Sequence, residues 1–175
     1  MSCEKNSLKM NNQIETKEFQ TSEYRSSSVL DSFFRLNLNN LADMFNSAND
    51  ASNGDLALLL ESLDTVSSSS AFTILDNAGL INVIDLENAI DQTAYYEGLL
   101  LLSYSHEDIE NIVNQEVNDL QELFKRPFWG DDCETDLVGG VSDGECVYRT
   151  TCANRYRFWI NFGPKTSDSE PFDCL

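Results

Sequence analysis

Five cysteines, one histidine and thirty acids are the residues of this 175-residue sequence with the most chemistry in them. Cys133, Cys146, Cys152 and Cys174 crowd the C-terminal end, whereas Cys3 stands near the start. Four cysteines in a short, loop-rich stretch fit two disulfides and an oxidising compartment. Placed on one extended strand, Cys146 and Cys152 would lie about 20 Å apart, beyond disulfide reach. Two pairings remain: Cys133–Cys146 with Cys152–Cys174, or Cys133–Cys152 with Cys146–Cys174. Zinc is the competing use of such residues. The spacing C-x12-C-x5-C-x21-C holds no C-x-x-C pair, however, and His106 is distant in sequence, so the zinc signature is weak.

Oxygen ligands are densest from Asp131 to Glu145. Counted from Asp132, acids fall at positions 1, 3, 5 and 12, but Leu137 occupies position 6, where a calcium-binding loop of the EF-hand type needs glycine. The expectation is a solvated acidic loop, with an irregular calcium site at Asp132, Glu134, Asp136 and Asp143 as its alternative. No other cofactor is expected. Arg149, Arg155, Arg157 and Trp159, with Tyr148 and Tyr156, have the composition of a nucleic-acid patch. On a chain of net charge −19 they are better read as partners of acidic helices, or as the contact between a hairpin and those helices. They are the candidate binding residues.

A catalytic triad would need His106 beside Ser103 or Ser105, but no G-x-S-x-G motif is present and Ser105 suits a helix cap. Gly139-Gly140 stands alone, without a phosphate loop. The expectation is therefore a protein that is not an enzyme.

The elements that must position these residues divide into three segments. Residues 1–27 are polar and read as a flexible tether. Residues 28–126 carry helical periodicity. Leu30, Phe34, Leu38, Leu41 and Phe45 recur after a Ser28–Asp31 start, and Phe33 and Met44 widen the stripe. Asp55 is placed to cap a helix bearing Leu56, Leu59, Leu60 and Leu63. Ser67–Ser70 form a linker or the cap of a short segment, and Leu86–Leu102 form a further helix. Ser105 and Asp108 then open the clearest helix, with Ile109, Val113, Val117, Leu120 and Phe124 inward. Lys125 and Arg126 suit its C-terminal end, and Pro127 stops it. In residues 127–175 the period becomes two. Tyr156, Phe158, Ile160 and Phe162 alternate with Arg155, Arg157, Trp159 and Asn161 as one strand, joined through Ala153-Asn154 to a partner at Cys146–Cys152. The expected fold is mainly α: a small acidic helical bundle with a C-terminal, disulfide-stapled β-hairpin appendage packed on it.

The charge is local. From Leu36 to Phe124 there is no lysine or arginine, and these 89 residues carry 16 acids. Such a surface repels phosphates and anionic membranes, which excludes direct nucleic-acid binding. The longest apolar run, Leu99–Leu102, is too short to span a bilayer.

Ser2-Cys3-Glu4-Lys5, followed by a polar tether, resembles the mature start of a bacterial lipoprotein. The resemblance implies lipidation of Cys3 and an exported, envelope-anchored protein. One lipidated cysteine plus two disulfides would use all five thiols. The sequence lacks the basic and apolar regions of a signal peptide before Cys3, so such a segment would have to precede it.

The functional expectation is a non-enzymatic, exported or envelope-anchored binding module with a protein partner, basic in character, and with the membrane reached through the lipid anchor. The alternative is a cytoplasmic acidic mimic of nucleic acid that blocks a basic protein. A minor alternative rests on Asp136-Leu137-Val138-Gly139-Gly140, which resembles a double-glycine leader end, and implies a precursor cut after Gly140 to release a secreted peptide.

Overall fold

The computed structural model describes residues 27–139, 145–169 and 172–173. Among these, five helices come first: α1 Ser27–Ala51, α2 Asp55–Ser62, α3 Ser68–Ala78, α4 Val83–Leu100 and α5 His106–Gln121. An antiparallel sheet follows, of β1 Trp129–Gly139, β2 Glu145–Arg157, β3 Ile160–Asn161, β4 Lys165–Asp168 and β5 Phe172–Asp173. The fold is mainly α, with a disulfide-stapled hairpin packed on the helices. Residues 1–26, which hold Cys3 and nearly all of the expected tether, lie outside the described residues.

Local chemistry accounts for most helix ends. Ser105 accepts from the Asp108 backbone N–H while the Asp108 carboxylate accepts from the Ser105 backbone N–H, so the expected capping box is complete. Ser67 caps α3 through Ser70, and α3 is a full helix rather than a short segment. Asn82 accepts from Ile84 and Asp85 at the start of α4. Asp55 does not cap α2. Gly54 precedes the helix at φ 92°, a left-handed value that glycine adopts without strain. The free N–H groups of Leu56 and Ala57 are taken instead by Ser52 and Asn49, from the end of α1.

The anticipated α1 stripe is the spine of the core: Phe34, Leu38 and Leu41 are fully buried and Phe45 nearly so. Phe33 does not join it. That ring is exposed on one side and stacks on Tyr96 of α4 at 5.2 Å. α5 turns Ile109, Ile112, Val113, Val117 and Leu120 inward and loses helical geometry at Val117. It ends at Gln121, so Arg126 does not serve its C-terminus. Arg126 is buried against α2 instead, donating to the Leu60 carbonyl and, at 2.7 Å, to Asp64.

β2 is the centre of the sheet, with β1 on one side and β3, β4 and β5 on the other. The expected connection at Ala153-Asn154 is not a turn. β2 runs straight through it, and the register slips there: Asp132 faces Asn154 and Cys133 faces Cys152, leaving Ala153 as the extra residue of a bulge. The chain turns instead at Phe158 and Trp159, both with left-handed φ of 54° and 59°. This turn is buried. Phe45 of α1, Phe124 and Phe128 all present ring edges to Trp159 at 4.7–4.8 Å, so sheet and helices share one core.

Candidate functional site: an acidic cleft between α5 and β1

The start of β1 is set by the end of α5. The Gln121 side-chain oxygen accepts from the backbone N–H groups of Phe128 and Trp129, which holds the chain as it leaves the helix. β1 therefore runs beside α5, and a cleft of about 400 Å³ opens between them. Its lining includes five consecutive residues of β1, Trp129–Cys133, and Tyr156 of β2, so it runs along the start of β1, whose one side is paired with β2 and whose other side is open. Among the described residues no strand pairs with that side.

The floor is a buried polar cluster. Glu97 of α4 accepts from Trp129 Nε1 at 3.1 Å and from Arg157 Nη2 at 2.6 Å. Arg157 also donates to Asp131 and to the carbonyls of Gly130 and Tyr156, and its guanidinium lies over the Trp129 ring at 4.4 Å. One guanidinium thus serves two carboxylates. Burial pushes the Glu97 carboxyl above its usual range and the nearby Asp131 charge adds to this, while Arg157 and the Trp129 N–H oppose it.

His106, Glu107 and Glu110, from the first turns of α5, form the opposite wall and are exposed. With Asp131 and Asp132 they give the cleft a negative face. Ligand atoms of His106, Asp131 and Cys133 lie within 4.8 Å of one another. Cys133 is bonded to Cys152, its neighbour across the strands. Cys146 is also disulfide-bonded, and Cys174 lies outside the described residues. A cross-strand disulfide marks a non-reducing environment. No helix among the described residues is long and apolar enough to cross a membrane.

The residues singled out from sequence are dispersed. Trp159 is 1% exposed at the centre of the aromatic core and has no surface to offer a partner. Arg157 is one of the contacts between hairpin and helices, through Glu97 of α4. Arg155 donates to the Phe162 and Gly163 carbonyls and braces the segment between β3 and β4. Arg149 is exposed and paired with Asp168 at 2.7 Å. Asp132, Glu134 and Asp136 lie exposed along β1 instead of on a loop, and Asp143 is outside the described residues. Alternate residues of an extended strand stand nearly 7 Å apart, which spreads these three acids rather than converging them. Gly140 is likewise outside the described residues. The Cys133–Cys152 bridge spans it, so a cut there would leave the two pieces joined.

The cleft itself was not legible. Its walls come from different elements, with His106 25 residues before Asp131, and the one available signal was the presence of acids and His106 at the start of a capped helix. Compared with known proteins, the chain matches no family model, no curated protein and no solved structure.

Proposed function

We propose that this protein is a non-enzymatic, exported binding module whose α5–β1 cleft takes a cationic segment of a polypeptide partner. The observation that carries the reading is the cleft. Its exposed walls present Glu107, Glu110 and Asp132, and the nearest arginine, Arg157, is already held by Glu97 and Asp131. The strand edge beside those acids offers a backbone template for an extended ligand. The disulfide supports placement outside a reducing compartment, and the envelope anchor at Cys3 rests on the lipoprotein resemblance of the N-terminus. Within this reading the unpaired acids of the helices steer a basic partner inward and set the rate of encounter.

Titration of the full chain with an oligolysine peptide, followed by tryptophan fluorescence, tests the reading. Saturable binding that weakens steeply with added salt is expected. The combined substitution Glu107→Gln, Glu110→Gln, Asp132→Asn should weaken it far more than Asp50→Asn, Asp55→Asn, Asp76→Asn, which removes equal charge from exposed positions on other elements. Equal losses from the two sets would refute the cleft as the site.

A further inference from the structure

The zinc signature is weak in the sequence because His106 precedes Cys133 by a whole helix. The fold removes that objection. His106 opens α5 at the mouth of the cleft, and its ring nitrogen, an Asp131 oxygen and the Cys133 sulfur converge within 4.8 Å. The Cys152 sulfur is bonded to that of Cys133 and so adjoins this trio. With the bridge opened, Cys152 adds a second sulfur to these three donors, and two sulfurs, one imidazole and one carboxylate are a ligand set of the tetrahedral zinc type. We propose that opening the Cys133–Cys152 disulfide turns this corner of the cleft into a zinc site.

The donors come from α5, β1 and β2, so the tertiary structure, and no local motif, brings them together. Asp131 is oriented by its bond to Arg157 through Oδ1, which leaves Oδ2 for the ion. No hydrogen bond engages the His106 imidazole among the described residues, and its exposure gives the ion a path from solvent. Rotation of the two cysteine side chains must carry the sulfurs to about 3.8 Å apart, the edge of a tetrahedron with bonds of about 2.3 Å. The chemistry balances with an external dithiol as reductant. It gives two electrons and two protons to the Cys133–Cys152 bond, is itself oxidised to a disulfide, and leaves two protein thiols. Binding of the divalent cation then releases both thiol protons to solvent. The same cysteine pair is a staple in an oxidising place and half of a metal site in a reducing one.

The test uses the full chain reduced with a phosphine, titrated with Co²⁺ and competed with Zn²⁺, with no peptide present. Success or failure is thereby separate from that of the cationic-segment reading. One equivalent of Co²⁺ is expected to give thiolate charge-transfer and tetrahedral ligand-field absorption, lost on reoxidation. His106→Ala changes an exposed side chain and leaves every thiol in place. It should weaken binding about tenfold or more, the scale at which even outer-shell partners act. Binding unchanged by His106→Ala, equal binding by the oxidised chain, or loss of the far-ultraviolet helical signal on reduction would each overturn the proposal.

Discussion

Arg157 shows how much one side chain can hold. It is 7% exposed, lies between Glu97 and Asp131, and joins β2 to α4 and β1. Removing one member of a buried ion pair costs about 3–5 kcal/mol, because the charge left behind is neither solvated nor paired. Arg157→Met should therefore lower stability by about that amount, read as a fall in the urea midpoint. Adding Glu97→Gln to Arg157→Met should recover part of the loss, since it removes the more buried of the two stranded carboxylates and leaves Asp131. A double variant no more stable than the single one would show that packing over Trp129, and not charge, is what Arg157 supplies. The role of this residue was half legible. The arginines of a strongly acidic chain were expected to face acids or helices, and Arg157 does both. That it would do so from a buried position depends on Trp129 and Glu97, 28 and 60 residues away, which no local pattern connects.

Among the elements, the helices were readable, and of the sheet the hairpin and the strand at Cys146–Cys152 were, but not β1 or the turn after β2. α1, α4 and α5 follow apolar spacing, and Ser67, Asn82 and Ser105 cap as their residue types predict. β1 reads as a loop because Asp, Glu and Gly are poor strand formers. It exists because β2 pairs with it along its length. The Phe158-Trp159 turn is invisible for a different reason. Tight hairpin turns with two left-handed residues ordinarily use Asn-Gly or similar pairs. Here each left-handed residue costs about 1–2 kcal/mol, offset by burying two aromatic side chains at about 1.5–3 kcal/mol each. The balance makes a specific prediction. Trp159→Ala keeps the strain and loses the ring, whereas Trp159→Gly loses the ring and the strain together. The glycine variant should be the more stable by about 1 kcal/mol, the reverse of the usual order. Trp159→Phe should be milder than either, because the indole N–H has no hydrogen-bond partner among the described residues. Chemical denaturation of the three variants measures the order directly.

At the scale of the whole molecule the net charge of −19 acts against compactness, since the acids of the helical stretch have almost no cations among them. Added salt should therefore raise the melting temperature. Acid acts in two opposing ways. Glu97 is held above the usual carboxylate range by burial, so the folded state takes up its proton before the unfolded chain does. Its contribution makes the protein more stable as pH falls from neutrality through that raised value. Asp108, bonded by the Ser105 backbone N–H and hydroxyl, is held below the usual range. Glu116, bonded by Arg35 and Asn39, and Asp168, bonded by Arg149, are held low as well. What these three add is present above the ordinary carboxylate value and is lost as pH falls through their depressed ones. The sum places the stability maximum in mildly acid solution, below pH 7 and above the range where exposed carboxylates protonate. Thermal melts at fixed ionic strength across that interval should show the maximum, and Glu97→Gln should flatten its neutral-side limb while leaving the acid-side collapse in place. A wild-type curve that falls monotonically from pH 7 downward would mean that Arg157 more than cancels the cost of burying Glu97, and that the floor of the cleft carries no surplus negative charge.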